Sequence, residues 1–285
     1  MKKAPETDFS TTQLPHTRWE LLIDVALHQT GSLISASLLL SLFALPLLCD
    51  YLIFSAFVGT AYANASPMSS IFALCFYGAL IAIPCIGILF VGYAGAYEVG
   101  QRLSFLDGVL SSVSFFYGLK KNWRSALGIG FIVGMSFAFA LVGSLYLLFF
   151  YQASPIVMGI GIGLLLFQFL LVGSLSHYFL AQEGLYQNSF GATLKNAFLF
   201  TLMKMPCSFG LFILSPGIVI FLFAFSNITA YVGMGLFLFF SSFGVLIWSI
   251  YAHKVFDSYI NAEHYPGLVN KGLYPKEDES CPKSH

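Results

Sequence analysis

The sequence predicts an all-α membrane protein, a polytopic bundle of about six transmembrane helices in three hairpins with both termini in the cytoplasm. Composition is the first reason: 58% of the 285 residues are hydrophobic and only 9% are charged, whereas a soluble domain carries about 25% charged residues. The second reason is the length of the gaps between charged residues. The third is that the basic residues fall on one side of these gaps.

The gaps between charged residues predict how the chain crosses the membrane. Residues 125–182 and 205–253 contain no Asp, Glu, Lys or Arg, and residues 25–97 contain only Asp50. One membrane-crossing helix needs about 20 residues, so a gap of about 50 holds two helices and a short loop. The predicted spans, two in each gap, are 32–58, 69–93, 125–151, 156–180, 194–222 and 232–251. Tyrosine-rich polar stretches after the second, fourth and sixth spans predict helices that continue past the lipid.

The basic residues predict the orientation. All thirteen lie before span one, between spans two and three, early in span five or after span six, and the other loops contain none. Cytoplasmic loops are enriched in Lys and Arg, so we expect a cytoplasmic N-terminus with an interfacial helix (1–30), a six-span bundle (31–253) and a cytoplasmic polar tail (254–285).

Apolar residues at helical spacing precede the first span. The positions i, i+3, i+4, i+7 and i+8 are occupied by Trp19, Leu22, Ile23, Ala26 and Leu27. The charged residues between them fall largely on the other side. This pattern predicts an amphipathic helix that lies in the cytoplasmic interface of the membrane. The alternative is that these residues are the first turns of span one.

Several function classes are disfavoured by composition and motifs. The net charge of zero argues against binding to nucleic acid. The five cysteines lack C-x-x-C spacing, which disfavours a disulfide framework or a zinc site. No phosphate-cradling or dinucleotide-binding motif occurs in a strand–helix setting, and we expect no cofactor and no metal.

Glycine and proline inside the spans predict how the helices pack. Gly130 with Gly134 and Gly159 with Gly163 have the small-x-x-x-small spacing, which predicts close helix contacts at both pairs. Proline inside a helix bends or breaks it. Kinks are therefore predicted in spans one, two and five, at Pro46, Pro84, Pro206 and Pro216.

Asp50, Gln168 and Lys204 lie inside the predicted spans, and polar side chains there are functional candidates because lipid offers them no partner. Asp50 either binds a cation or a proton, or lies near the outer interface, where tilt and local thinning keep it hydrated. Lys204 either extends toward the cytoplasm or reaches another span. Gln168 either donates to a neighbouring helix or contacts a solute.

A cluster of bases stands at the predicted start of span three, within the sequence FYGLKKNWRSALG. Lys120, Lys121 and Arg124 fall within five positions, and Trp123 lies among them. Basic side chains near a membrane surface attract anionic headgroups, and tryptophan prefers the interface. The cluster therefore predicts contact with anionic headgroups of the lipid bilayer. Docking of a partner protein is the alternative.

A membrane enzyme would need Asp, Glu or His side chains that converge at one interface. The sequence offers only His177 and Glu183, near the cytoplasmic end of span four. His177 has no second residue at metal-ligand spacing, so we expect a hydrogen-bonded histidine at the membrane interface. No catalytic residue is predicted.

Several stretches resemble the YesL family of bacterial membrane proteins, a family of unknown function. They are GILFVGYAGAYEVGQRLSF in span two, FFYGLKKNWRSALGIGF at span three, LKNAFLFTLMKMP at span five and the tail FDSYINAEHYPGLVNKGLYPKED. The resemblance extends from about Trp19 to Asp278. It implies a six-span protein of the bacterial inner membrane. Genes of this family tend to lie beside carbohydrate-uptake and glycan-degradation genes, which implies an accessory role, and no catalytic residues come with the family.

Three hypotheses for function follow from these observations. The first is a non-enzymatic accessory to carbohydrate or solute uptake that contacts a membrane transport complex. The second is a small transporter or channel, with Asp50, Gln168 and Lys204 facing an internal cavity. The third is a membrane enzyme built around His177 and Glu183.

Overall fold

The computed structural model describes residues 14–151, 154–186, 188–225 and 227–274, and its regular structure there is entirely helical. The helices are α1 (Arg18–His28), α2 (Thr30–Ala63), α3 (Met68–Ser104), α4 (Ser111–Phe149), α5 (Pro155–Leu185), α6 (Phe190–Met203), α7 (Met205–Phe212), α8 (Ile218–Phe225), α9 (Asn227–Phe256) and α10 (Ala262–His264). Two π-helical turns, Ile213–Gly217 and Asp257–Asn261, follow α7 and α9. In these ranges six helical segments are long and apolar enough to cross a membrane, which confirms the predicted all-α multi-pass membrane fold. Of the predicted polar ends, 1–13 and 275–285 lie outside the described residues.

α1 is a separate helix with its own amino-terminal cap. The Thr17 hydroxyl accepts from the Glu20 N–H, and the Glu20 carboxylate accepts from the Thr17 N–H, both at 3.2 Å; this reciprocal pair is a capping box. The same carboxylate accepts the His16 N–H at 2.8 Å, and these bonds lower the pKa of Glu20. Gln29 (φ −114°, ψ 22°) divides α1 from α2, so the apolar residues before span one form a helix of their own.

Two helices extend far beyond the predicted spans at one end of the bundle. α3 continues to Ser104, and α4 already begins at Ser111 rather than at residue 125. A charge gap marks where lipid begins, but the helix itself continues because Lys, Arg and Gln favour helix nearly as well as Leu. We call this end, which carries α1 and the connections after α3 and after α5, the basic end. The opposite end of the bundle is the uncharged end.

Span five, predicted as one helix, is divided into α6, α7 and α8. The first break is at Lys204, and the second is the π-helical turn between α7 and α8. Pro206 lies in the first turn of α7 and Pro216 lies in the π-helical turn. Proline lacks the N–H that continues a helix, and its ring collides with the carbonyl four residues earlier. Pro46 and Pro84 lie inside α2 and α3, which run on without interruption.

The packed core lies toward the basic end, with α3 at its centre. Every residue of 92–101 in α3 and of 173–182 in α5 is buried. α3 contacts α2, α4, α5 and α9. Toward the uncharged end the helices expose many large apolar side chains. This division is expected of a bundle whose outer surface is covered by lipid.

Three glycines of α3 allow three different helices to approach it. A Cβ atom added to Gly92 would lie 2.7 Å from a side-chain atom of α2. At Gly95 it would lie 2.8 Å from the backbone oxygen of Phe115 in α4, and at Gly100 it would lie 3.2 Å from Oγ of Ser249 in α9. The absence of side chains at these positions is therefore what permits close packing around α3.

The two predicted glycine pairs behave differently. Cβ atoms at Gly130 and Gly134 of α4 would each lie 2.9 Å from a Cα atom of α3, which confirms the close contact predicted there. Gly159 and Gly163 of α5 have no atom of another described segment within 4 Å of an added Cβ, so the close contact predicted there is wrong within this chain. Gly161, which lies between them in sequence, packs on α4. Residues two positions apart on a helix point in nearly opposite directions, so Gly159 and Gly163 face away from α4.

Candidate functional site

Asp50 lies within the apolar part of α2. The helix continues to Ala63, which is about 20 Å further along its axis at 1.5 Å per residue. The side chain is half-buried, and Oδ1 is buried without a hydrogen-bond partner. Phe43 and Phe54 of α2 pack on glycines of α3, and Asp50 lies between them on the same face of α2, beside α3. The carboxyl group is thus about 30 Å along the axis from the start of α2 and about 20 Å from its end, with one oxygen enclosed by the bundle.

Gln168 and Lys204 each contact a neighbouring element. Nε2 of Gln168 donates to Oγ of Ser136 in α4 at 2.7 Å. Lys204 lies at the break between α6 and α7, and its Nζ is 5.4 Å from the ring centroid of Tyr259 in the turn after α9. Because Tyr259 is at the basic end, the lysine stem extends in that direction, and the ring faces a cation that it attracts.

The three polar residues do not face one another. Asp50 is between α2 and α3, Gln168 is between α4 and α5, and Lys204 is against the turn after α9. Two grooves of the described residues, one along α2 and one between α3 and α4, are open and apolar. The three side chains therefore have separate surroundings within the described residues.

The basic cluster is on the outer surface of the first turns of α4. Lys120, Lys121, Trp123 and Arg124 are all exposed. Nζ of Lys121 donates to the backbone oxygen of Gly184 at 3.1 Å, near the end of α5. The Arg124 guanidinium lies 5.2 Å from the ring centroid of Trp123. Each cation retains N–H donors that point outward, toward the surroundings of the basic end.

His177 is enclosed by aromatic side chains of three other helices. Its Nδ1 is 2.7 Å from the hydroxyl of Tyr97, and the indole of Trp248 stacks on the imidazole with ring centroids 4.7 Å apart and an interplanar angle of 9°. Tyr93 and Phe212 present their rings edge-on, each at 5.9 Å. His177 is hydrogen-bonded, as expected, and it is only 4% exposed, so protein side chains rather than solvent surround the ring. Burial is possible because α3 and α9 supply partners that are remote in sequence.

His177 and Glu183 do not form a joint site. Six residues on one helix correspond to about 9 Å along its axis and about 120° around it. Nδ1 of His177 is engaged with Tyr97, whereas Oε1 of Glu183 is buried without a partner. Where the structure is described, no three His, Cys, Asp or Glu side chains are grouped to hold a metal ion.

A largely buried polar network at the basic end joins α1 to the segment that follows α9 and to the end of α5. Arg18 of α1 pairs with Asp257 at 2.7 Å and donates to the backbone oxygen of Lys271 at 3.0 Å. Asn261 donates to the second oxygen of Asp257 at 2.7 Å and accepts from the Tyr186 hydroxyl at 2.6 Å. Burial raises the pKa of the Tyr186 phenol, which keeps it a donor. We call these five residues the terminal clamp.

Two further buried polar groups are not singled out by the sequence. Glu98 accepts from Arg102 at 2.8 Å, an i, i+4 pair on α3 that its spacing alone could have suggested. His253 stacks on Phe105 with ring centroids 4.7 Å apart. No local pattern marks the second contact, because the two rings are brought together from α9 and from the end of α3.

Comparison with known protein families, with curated proteins and with solved structures finds no match for this chain. The helices and the contacts described above are therefore the basis on which a function is proposed.

Proposed function

We propose that this multi-pass membrane protein is a non-enzymatic accessory of a solute-uptake system and that it binds a membrane transport complex. The resemblance to the YesL family supports carbohydrate as the class of solute. The described core supports a binding role, because His177, Glu98 and the terminal clamp are engaged in contacts within the chain.

The exposed face of α5 is the observation that carries this proposal. Ile156, Ile160 and Leu164 follow each other at four-residue spacing and are 75%, 60% and 64% exposed. Gly159 and Gly163 lie on the same side, with open space where their side chains would be. Small residues at this spacing let the backbone of another helix approach closely. The face is therefore suited to a helix of another membrane protein.

The proposal includes the orientation of the protein in the membrane and the type of membrane that contains it. We infer that the basic end is cytoplasmic and that the membrane is a bacterial inner membrane, as the distribution of bases supports. Lys120, Lys121 and Arg124 would then contact anionic headgroups, at about 1 kcal/mol each near the surface. Docking of the partner complex onto this cluster is the alternative role.

Copurification tests the proposal at the α5 face. We expect the wild-type protein, extracted with its surrounding lipid, to carry subunits of a solute-transport complex. The double variant Gly159→Leu with Gly163→Leu is expected to fold normally, because the added side chains meet open space. It should recover about ten-fold less of the complex, because the leucines hold the partner backbone away.

The matched control is Gly31→Leu with Gly235→Leu, which places two leucines at other glycines in open space. This control should recover the complex as wild type does. Normal solute uptake after deletion of the gene, or equal recovery of the complex by both double variants, would contradict the proposal.

A small transporter is the second candidate, and the division of span five favours it. Discontinuous membrane helices and π-helical turns are common at substrate sites of transporters. On this hypothesis the purified protein in liposomes conducts a solute by itself, and Lys204→Met and Asp50→Asn reduce the flux. A flux that both variants leave unchanged would eliminate it.

A further inference from the structure

The seam between α2 and α3 contains Asp50, an acid whose buried oxygen has no hydrogen-bond partner among the described residues. Phe43 and Phe54 of α2 pack on Gly92 and Gly78 of α3. Asp50 is seven residues after the first phenylalanine and four before the second, so it lies on the same face of α2. Unlike the phenylalanines, it is incompletely covered by α3, since one carboxylate oxygen is buried and the residue as a whole is half-buried.

The carboxylate has no counter-ion within the described residues. Oδ1 of Asp50 is buried without a hydrogen-bond partner, and Asp50 takes part in none of the ion pairs among these residues. An acid inside a membrane normally pairs with a base, because lipid cannot stabilise its charge. A cation that approaches from outside the chain would supply the missing partner.

A second copy of this chain is poorly suited to supply it. Every base lies outside the three long charge gaps, and Lys204 directly precedes the third of them. Nζ of Lys204 is directed to Tyr259 at the basic end. A copy in the same orientation therefore brings no cation to the depth of Asp50, and charge complementarity requires a different protein.

We propose that the α2–α3 seam at Asp50 binds a transmembrane helix of another protein, one that carries a lysine or arginine at the same depth. This deepens the proposed function and assumes, as it does, a partner in the membrane. The surface beside the acid is apolar and open, with Ile53 52% exposed on α2 and Ile81 48% exposed on α3. Such side chains pack against an apolar helix while its base reaches the carboxylate.

A synthetic helix tests the seam without knowledge of the partner. The full chain, with a donor fluorophore at its amino terminus, is reconstituted in liposomes with acceptor-labelled helices of about 20 Leu and Ala residues. One helix carries a central lysine and its match carries a central leucine. We expect energy transfer to show about ten-fold tighter binding of the lysine helix to the wild type.

Two variants assign this preference to the acid. Asp50→Asn should bind both helices equally, and Asp50→Glu should retain the preference for lysine. Equal binding of both helices by the wild type would overturn the inference, as would a preference that survives in Asp50→Asn. Binding of a helix with the sequence of α2 as tightly as the lysine helix would indicate self-association instead and would also overturn it.

The outcome is separable from that of the proposed function. If the wild type shows no preference for lysine and yet copurifies with a transport complex, the seam inference fails and the proposed function stands. If the preference is found and no transport complex copurifies, the seam binds as inferred and the proposed function fails.

Discussion

Replacing Gly95 with leucine is expected to prevent stable folding of the bundle. The added Cβ would lie 2.8 Å from the backbone oxygen of Phe115, and a backbone atom cannot rotate away as a side chain can. α3 and α4 would have to separate at this point, although they are the most extensively packed pair of helices in the bundle. Overpacking of a core costs about 1–3 kcal/mol and sometimes more, and we expect about 3 kcal/mol or more here. The fraction of monodisperse protein after heating in detergent measures the effect.

Gly159→Leu is the matched control, since it places the same side chain in the open space beside α5. It should unfold at the wild-type temperature. A milder substitution at Gly100 is expected to have a smaller effect. A Cβ atom added there would lie 3.2 Å from Oγ of Ser249, and this hydroxyl can rotate away. Gly100→Ala should therefore cost much less than Gly95→Leu. Equal unfolding temperatures for Gly95→Leu and Gly159→Leu would show that α3 and α4 are not packed as described.

Removing Asp257 is expected to release α1 and the segment after α9 from the basic end. Its pair with Arg18 has side chains only 12% and 13% exposed. Loss of one partner leaves a buried charge without compensation, which costs about 3–5 kcal/mol. Asp257→Ala should therefore lower the unfolding temperature and speed tryptic cleavage after Arg18 and after Lys271. Cleavage rates at these two positions measure the opening of the clamp directly.

A double variant separates the ion pair from general damage. Arg18→Met with Asp257→Leu removes both charges, so it should destabilise the protein by less than the sum of the two single alanine variants. Glu263→Ala is the control, because Glu263 is 80% exposed and 4.0 Å from His264, and an exposed pair of this kind contributes little. If trypsin cleaves Asp257→Ala no faster than Glu263→Ala, the terminal clamp does not hold α1 and the segment after α9 in place.

Much of the fold could be predicted from the sequence because hydropathy and charge report directly on lipid. A gap such as 125–182 can be satisfied only by crossing the membrane twice, and the structure shows two helices there. The same pattern could not locate helix ends at the basic end, since a helix continues past lipid. Nor could it show that span five is divided at Lys204, because a proline kink and a proline break have the same sequence signal.

The candidate sites were less accessible to sequence reasoning. His177 was expected to be hydrogen-bonded because it lies near the cytoplasmic end of span four, but its partners, Tyr97 and Trp248, come from other helices and could not be named from the sequence. Asp50 was assigned two alternative environments, and only the packing of α2 on α3 shows that one of its carboxylate oxygens is buried without a hydrogen-bond partner. Gly159 and Gly163 have the spacing of a contact, yet only the arrangement of α4 and α5 shows that this side of α5 is free.

The sequence by itself determined the class of the protein, the number of spans and the end of the bundle at which the bases gather. These properties depend on the average affinity of a segment for lipid or water, and the residues of that segment alone set this affinity. The tertiary structure decided which helix is central, which polar groups are engaged in the core and which acid lacks a counter-ion. Those properties depend on contacts between residues far apart in the chain, and no segment carries that information alone.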